Sequence, residues 1–111
     1  MDTINHSTVV TLKELIAYAE GAVVSKTLTK NKSGNTTLFA FDKGQGLSEH
    51  TAPFDAIAQI VDGQCKITIG GVDFKLEEGQ MILMPATIPH ALEAIEPFKM
   101  MLIMIKDTTN D

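Results

Sequence analysis

Residues 44–63 read GQGLSEHTAPFDAIAQIVDG, and residues 79–94 read GQMILMPATIPHALEA. The first stretch spaces its marked residues as Gly44-x5-His50-x-Ala52-x3-Ala56-x6-Gly63. The second spaces them as Gly79-x5-Pro85-x-Thr87-x2-His90-x3-Ala94. Glycine and proline at these intervals break the chain into short extended segments. Residues two apart in a strand point to the same face. His50 and Ala52 are therefore expected on one face, as are Ala56, Ala58 and Ile60, and His90 with Leu92.

The same punctuation continues on both sides. Val23 to Thr29 and Thr36 to Phe41 read as two strands of a hairpin around the turn chemistry of Asn31-Lys32-Ser33-Gly34-Asn35. Further strands are expected at about 47–52, 56–61, 64–69, 72–76, 81–84, 90–95 and 98–106, with breaks at Pro53, Asp62-Gly63, Gly70-Gly71, Glu78-Gly79 and Pro85 to Pro89. Many short strands with regular breaks indicate an all-β sandwich or barrel. Cys65, Ile67 and Ile69 share one face of their strand, so Cys65 is expected to be buried as a small hydrophobe. Before the strands, Thr11 and Glu14 have the spacing of a capping box, and Leu12, Leu15, Ile16 and Ala19 recur at helical period. With Gly21 as C-cap, this predicts a short helix from Leu12 to Glu20.

The two spacings resemble the paired motifs of the cupin family, G-x5-H-x-H-x3-E-x6-G and G-x5-P-x-G-x2-H-x3-N. Gly44, His50, Gly63, Gly79, Pro85 and His90 match, and Met84-Pro85-Ala86-Thr87-Ile88-Pro89-His90 is similar to the family's P-A-G-x-P-H turn. The resemblance implies a double-stranded β-helix, the cupin jelly-roll barrel, over residues 22–106, preceded by an N-terminal segment at 1–21 with its short helix. In typical cupins three histidines and a glutamate from these motifs hold a metal inside the barrel. Here Ala52 and Ala56 stand at the second histidine and the glutamate, Thr87 at a glycine, and Ala94 at the asparagine. His50 and His90 are the two metal ligands the resemblance still supplies, for one divalent transition metal such as Zn, Fe, Mn, Ni or Cu. Asp55 and Glu49 have the opposite parity, and nothing places His6 nearby.

Small residues at 52 and 56 widen the interior. Unfilled, such large-to-small changes each cost about 2–5 kcal/mol. Met81, Met84, Met100, Met101, Met104 and Phe54 are the candidates to fill the space, because methionine adapts to irregular gaps. A methionine cluster also suits soft Cu(I). The expected pocket is mostly apolar, formed by His50, Ala52, Ala56, Ala58, His90 and Leu92.

The 111 residues suffice for one domain, 1–111, with 44% hydrophobic and 21% charged residues. The net charge of −5, without a basic cluster, excludes the electrostatic footprint of a nucleic-acid binder. No apolar run approaches the roughly 20 residues of a membrane span. One cysteine and the absence of a secretory n- and h-region pattern point to the cytoplasm. Phe98 to Ile105 is apolar on both faces, and Ile57 and Val61 add apolar residues on the outer side of their strand. A solvent-covered strand should alternate, so a homodimer is expected to bury the excess.

Three functions fit these residues. One is a small-molecule-binding cupin in which His50 and His90 meet the ligand and a metal is optional. Another is a metal-dependent enzyme, a dioxygenase, isomerase or lyase acting on a small metabolite. The third is a metal-free enzyme using one histidine as acid or base, for which no nucleophile or orienting carboxylate is apparent.

Overall fold

The computed structural model describes residues 4–106; the polar stretch 107–111, which as a chain terminus is expected to fray, lies outside them. Eight strands follow one another: β1 (Val23–Asn31), β2 (Gly34–Phe41), β3 (Gly46–His50), β4 (Asp55–Ile69), β5 (Val72–Glu77), β6 (Met81–Met84), β7 (His90–Glu93) and β8 (Phe98–Ile105). All pairings are antiparallel. β4 organises them. Its first half pairs with β8 and β6, within a first sheet that continues through β2 to β1. Its second half pairs with β5 and β7, and β7 pairs with β3, forming a second sheet.

Asp62-Gly63 does not divide β4 into two strands. The chain bends there and continues, with a register irregularity between Ile60 and Asp62 and Gly63 at φ +77°. A side chain at 63 would be blocked as well as strained, since a Cβ would lie 2.0 Å from the Pro97 carbonyl oxygen and 2.9 Å from Phe98 Cα. This glycine is where the two sheets fold over one another.

Period-two patterning then fills the space between the sheets. Ala56, Ala58, Ile60, Cys65 and Ile67 from β4 are buried, together with Phe41, Phe98, Met84, Met100 and Leu92. Phe41 and Phe98 stack with ring centroids 4.5 Å apart, and Phe39 adds to the stack at 5.8 Å from Phe41. Cys65 is fully buried, and burial pushes its thiol up to about 12.

The expected helix at Leu12 to Glu20 is not formed. Only Leu12–Glu14 makes a 3-10 turn, with Glu14 N–H donating to Thr11 O and Leu15 N–H to Leu12 O. The Thr11 side chain makes no capping bond. A single nine-residue helix is marginal by itself. The extended path instead lays Leu12, Leu15, Ile16 and Tyr18 across the outer face of the first sheet, against Leu28, Leu38 and Ala40. The segment is fastened at its end. Tyr18 Oη donates to Asp62 Oδ2 at 2.6 Å, Lys99 Nζ lies 5.0 Å from the Tyr18 ring centroid, and Lys13 Nζ reaches Glu78 Oε2 at 3.0 Å. Asp42 Oδ2 accepts from Gly21 N–H at 2.7 Å and its Oδ1 from Lys43 N–H at 2.9 Å, and these bonds hold the carboxyl below its ordinary range.

Candidate functional site

His50 ends β3 and His90 begins β7, and the two are register partners. Their rings meet edge to face, with centroids 4.4 Å apart and planes at 66°. Each ring is oriented by the backbone two residues earlier. His50 Nδ1 lies 2.9 Å from Ser48 O, and His90 Nδ1 lies 3.2 Å from Ile88 O. A carbonyl oxygen only accepts, so each Nδ1 carries the hydrogen of its bond. In the neutral rings both Nε2 atoms then keep a free lone pair, ready to accept a hydrogen bond or to bind a cation. His90 is 6% exposed, whereas His50 is open to solvent. The pair therefore connects the interior to the surface at one end of the barrel.

Two short connections make the rim at that end, Thr51 to Phe54 and Pro85 to Pro89. They are tied together. Thr87 N–H donates to Ala52 O at 2.8 Å, and Ala86 N–H donates to Asp55 Oδ1 at 2.8 Å. Gly70 N–H donates to Pro89 O at 2.8 Å, attaching the second loop to the β4–β5 turn. Thr87 is held at φ +67°, a left-handed conformation that a β-branched residue strongly disfavours. The importance of this position was not anticipated. Its signal was the threonine standing where the related pattern has glycine.

The remaining residues singled out from the spacing are distributed as follows. Ala56, Ala58 and Leu92 are buried on inward faces, and Ala52 is half-buried at the rim. The space beside the alanines is occupied by larger neighbours. Ala56 is flanked in register by Met84 and Met104, and Ala58 by Ile82 and Leu102. Asp55 is engaged with Ala86 N–H. Glu49 is exposed, and His6 lines a groove beside Leu28 to Asn31. Among the described residues no three His, Cys, Asp or Glu side chains come together as a metal-binding group. Two imidazoles with alanines at the other two positions do not fit the four-donor divalent centre implied by the resemblance.

A second surface feature lies on the outer face of the first sheet. Ile103 of β8, Ile57 of β4 and Leu83 of β6 are successive register partners, so they form one row across three strands. Leu83 is 52% exposed and Ile105, beyond the row, 55%. A groove of about 690 Å3 adjoins them, with Phe54 and Lys106 on its wall. Among the described residues no helix is long and apolar enough to cross a membrane.

The cupin domain family model matches residues 37–106. A solved structure of a conserved protein of unknown function from Streptococcus pyogenes is 38% identical, with a TM-score of 0.90 over 96% of this chain and 93% of that one. A cupin superfamily protein from Desulfitobacterium hafniense is 27% identical, with a TM-score of 0.88 over 94% of this chain and 95% of that one. A cupin 2 conserved barrel domain protein from Leptotrichia buccalis is 40% identical over 85% of this chain, with a TM-score of 0.82, and this chain spans 46% of its length. No curated protein is significantly similar. The folded-over β4, the two-sheet barrel around it, and the motif glycines and histidines at its corner and rim thus agree with the family match, and the chain belongs to the cupin family.

Proposed function

We propose that this cupin binds a small organic molecule at the barrel end where His50 and His90 meet, with no metal required for binding. The observation that carries this reading is the common anchoring of the two adjacent rings. Both Nδ1 atoms are spent on backbone carbonyls, so each ring keeps its Nε2 as an acceptor, with the ring centroids 4.4 Å apart. Leu92, two residues along β7 from His90, belongs to the apolar core cluster that begins there. Such a site suits a ligand with a hydroxyl head and an apolar body. Ala52 completes the proposed pocket by keeping side-chain bulk low at the rim, with Ala56 and Ala58 in the core beneath it. The enzymatic alternatives need a completed metal donor set or a nucleophile beside the pair, and among the described residues no third His, Cys, Asp or Glu joins it.

The test uses the imidazole resonances of His50 and His90 in metal-free protein titrated with phenol, catechol and small hydroxy acids. The reading expects saturable shifts of both rings with at least one probe class, and their loss in His50→Ala and His90→Ala. Unmoved resonances across the panel sink it.

The same reading includes a homodimer, with a second copy on the Ile103–Ile57–Leu83 row. The row is continuous across three strands, and the N-terminal segment packs elsewhere, around Leu38 and Ala40. The cytoplasm is the location it assumes, since the single buried thiol is suited to a reducing compartment.

A further inference from the structure

The row that the histidine pair begins continues across two more strands. His50 pairs with His90, His90 with Ile69, and Ile69 with Val72. Register partners on neighbouring strands project to the same face of a sheet, with Cβ atoms about 5 Å apart. That face is the inner one. Cys65 and Ile67 on β4, in step with Ile69, and Leu76 on β5, in step with Val72, are all buried. Phe74 lies between Val72 and Leu76 on the same face of β5, as the partner of Ile67.

The local sequence fixes this row. Gly70 and Gly71, at φ +56° and +82°, make a two-residue turn with both positions left-handed, so Val72 stands directly opposite Ile69. The turn is docked on the loop that leads to His90. Gly70 N–H donates to Pro89 O at 2.8 Å, and a Cβ at Gly70 would lie 3.3 Å from Ile88 Cγ2.

The row is apolar and uncovered beyond the rings. Val72 is 56% exposed and Phe74 40%, on a face that is buried farther along the same strands. The charges of β4 and β5 lie on the opposite face, where Lys66 reaches Glu93 Oε1 at 3.2 Å and Asp73 Oδ1 accepts from Thr68 Oγ1 at 2.7 Å. No carboxylate or ammonium side chain belongs to the row. A ligand carboxylate would find no cation along it, whereas an apolar tail would remove exposed Val72 surface from water.

We propose that Ile69 and Val72, with Phe74 at the far end, form a shelf that selects the ligand of the histidine pair: a neutral hydroxyl compound with an unbranched apolar tail. The inference rests on reading His50 and His90 as the binding site, and it adds the residues that decide which molecule the site takes. Neighbouring strands stand about 4.8 Å apart, which puts Val72 roughly 10 Å from His90. An aromatic ring with a three-carbon tail bridges most of that span when its hydroxyl meets the imidazoles.

The experiment titrates metal-free protein, isotope-labelled at isoleucine and valine methyls and at the histidine rings, with phenol, para-propylphenol and para-hydroxybenzoate. Para-propylphenol should bind at least tenfold tighter than phenol, because each fully buried methylene contributes about fourfold. Para-hydroxybenzoate should bind more weakly than phenol. Para-propylphenol should move the Ile69 and Val72 methyls together with the His50 and His90 resonances. Val72→Ser, at an exposed position, should reduce the propyl gain by about fivefold or more and leave phenol binding unchanged. Leu83→Glu, on the outer face of the other sheet, should keep the full gain.

The proposal is overturned by equal affinity for phenol and para-propylphenol, by a gain that survives Val72→Ser, or by loss of the gain in Leu83→Glu. A changed sedimentation mass in Val72→Ser would assign the row to a second copy and overturn it as well. If the propyl group adds nothing while both probes still shift the His50 and His90 resonances, only the shelf falls. If neither probe shifts them, the binding reading of the pair falls with it.

Discussion

Thr87 donates its backbone N–H to the carbonyl oxygen of Ala52 at 2.8 Å while standing at φ +67°. The two residues occupy the glycine and second histidine positions of the family pattern, so the altered positions are physically joined at the rim. A left-handed non-glycine residue stores roughly 1–3 kcal/mol. Glycine relieves that strain but loses about 0.5–1 kcal/mol more through its unfolded-state freedom. Thr87→Gly should therefore stabilise the protein by about 1 kcal/mol, read as a higher denaturation midpoint at unchanged slope. A lower midpoint would show that the Thr87 hydroxyl, which donates to Ala86 O, outweighs the strain.

The substitutions at 52 and 56 differ in how reversible they are. Ala52 is half-buried at the rim, so Ala52→His has room to place a third imidazole beside His50 and His90. Zn(II) binding should strengthen by about tenfold or more over wild type, measured by competition with a chromogenic chelator. Ala56 is buried between Met84 and Met104. Ala56→Glu should cost about 3 kcal/mol through overpacking and an unpartnered buried carboxyl. An unaffected denaturation midpoint in Ala56→Glu would mean that the methionines leave a void there.

Much of this architecture was readable because the motif residues do local work. Gly63 must be glycine for the corner to close, and prolines and glycines mark the turns around His50 and His90. Strand parity likewise sent Ala56, Ala58, Cys65 and Leu92 inward. The N-terminal segment was misread for a physical reason. Leu12, Leu15 and Ile16 show helical spacing, yet their burial is satisfied by lying along the outer sheet, and Tyr18 gains Asp62 by doing so. Met84 and Met104 were among the six candidates to fill the space at Ala56, but what singles them out is cross-strand register, which no spacing within the chain carries. The orientation of the histidine rings depends on Ser48 and Ile88 carbonyls, which every residue possesses.

Alkaline pH should destabilise the fold through two groups. Burial raises the Cys65 thiol from 9.0 to about 12, and burial followed by the Asp62 hydrogen bond raises the Tyr18 phenol. Folded values above the unfolded ones mean that stability is full below the unfolded pKa. It falls as pH rises, because the unfolded chain releases its protons first. For Cys65 the window runs from about pH 9 to 12, with a slope of up to about 1.4 kcal/mol per pH unit. Urea midpoints for wild type and Cys65→Ala should converge across that window. Parallel curves would show that the thiol ionises without unfolding. Tyr18→Phe should separately lower the midpoint near neutral pH by about 1 kcal/mol, from loss of its bond to the Asp62 carboxylate.

The outer row makes the final prediction. Ile103, Ile57 and Leu83 lie side by side on adjacent strands, which stand about 4.8 Å apart. A row of this kind, with Leu83 at 52% and Ile105 at 55% exposure, is more apolar than a solvated sheet face requires. A twofold pairing would set the same row of a second copy against it, as isologous interfaces do. Sedimentation equilibrium at roughly tens of micromolar should give a dimer mass, the range in which an apolar interface of standard size associates. Leu83→Glu should shift the species to monomer and leave the circular dichroism spectrum intact. Because Leu83 points away from the histidine pair, phenolic probes should still move the His50 and His90 resonances in that variant. A wild-type protein that sediments only as monomer at these concentrations would leave the row without a partner of its own kind and remove the dimer from the proposal.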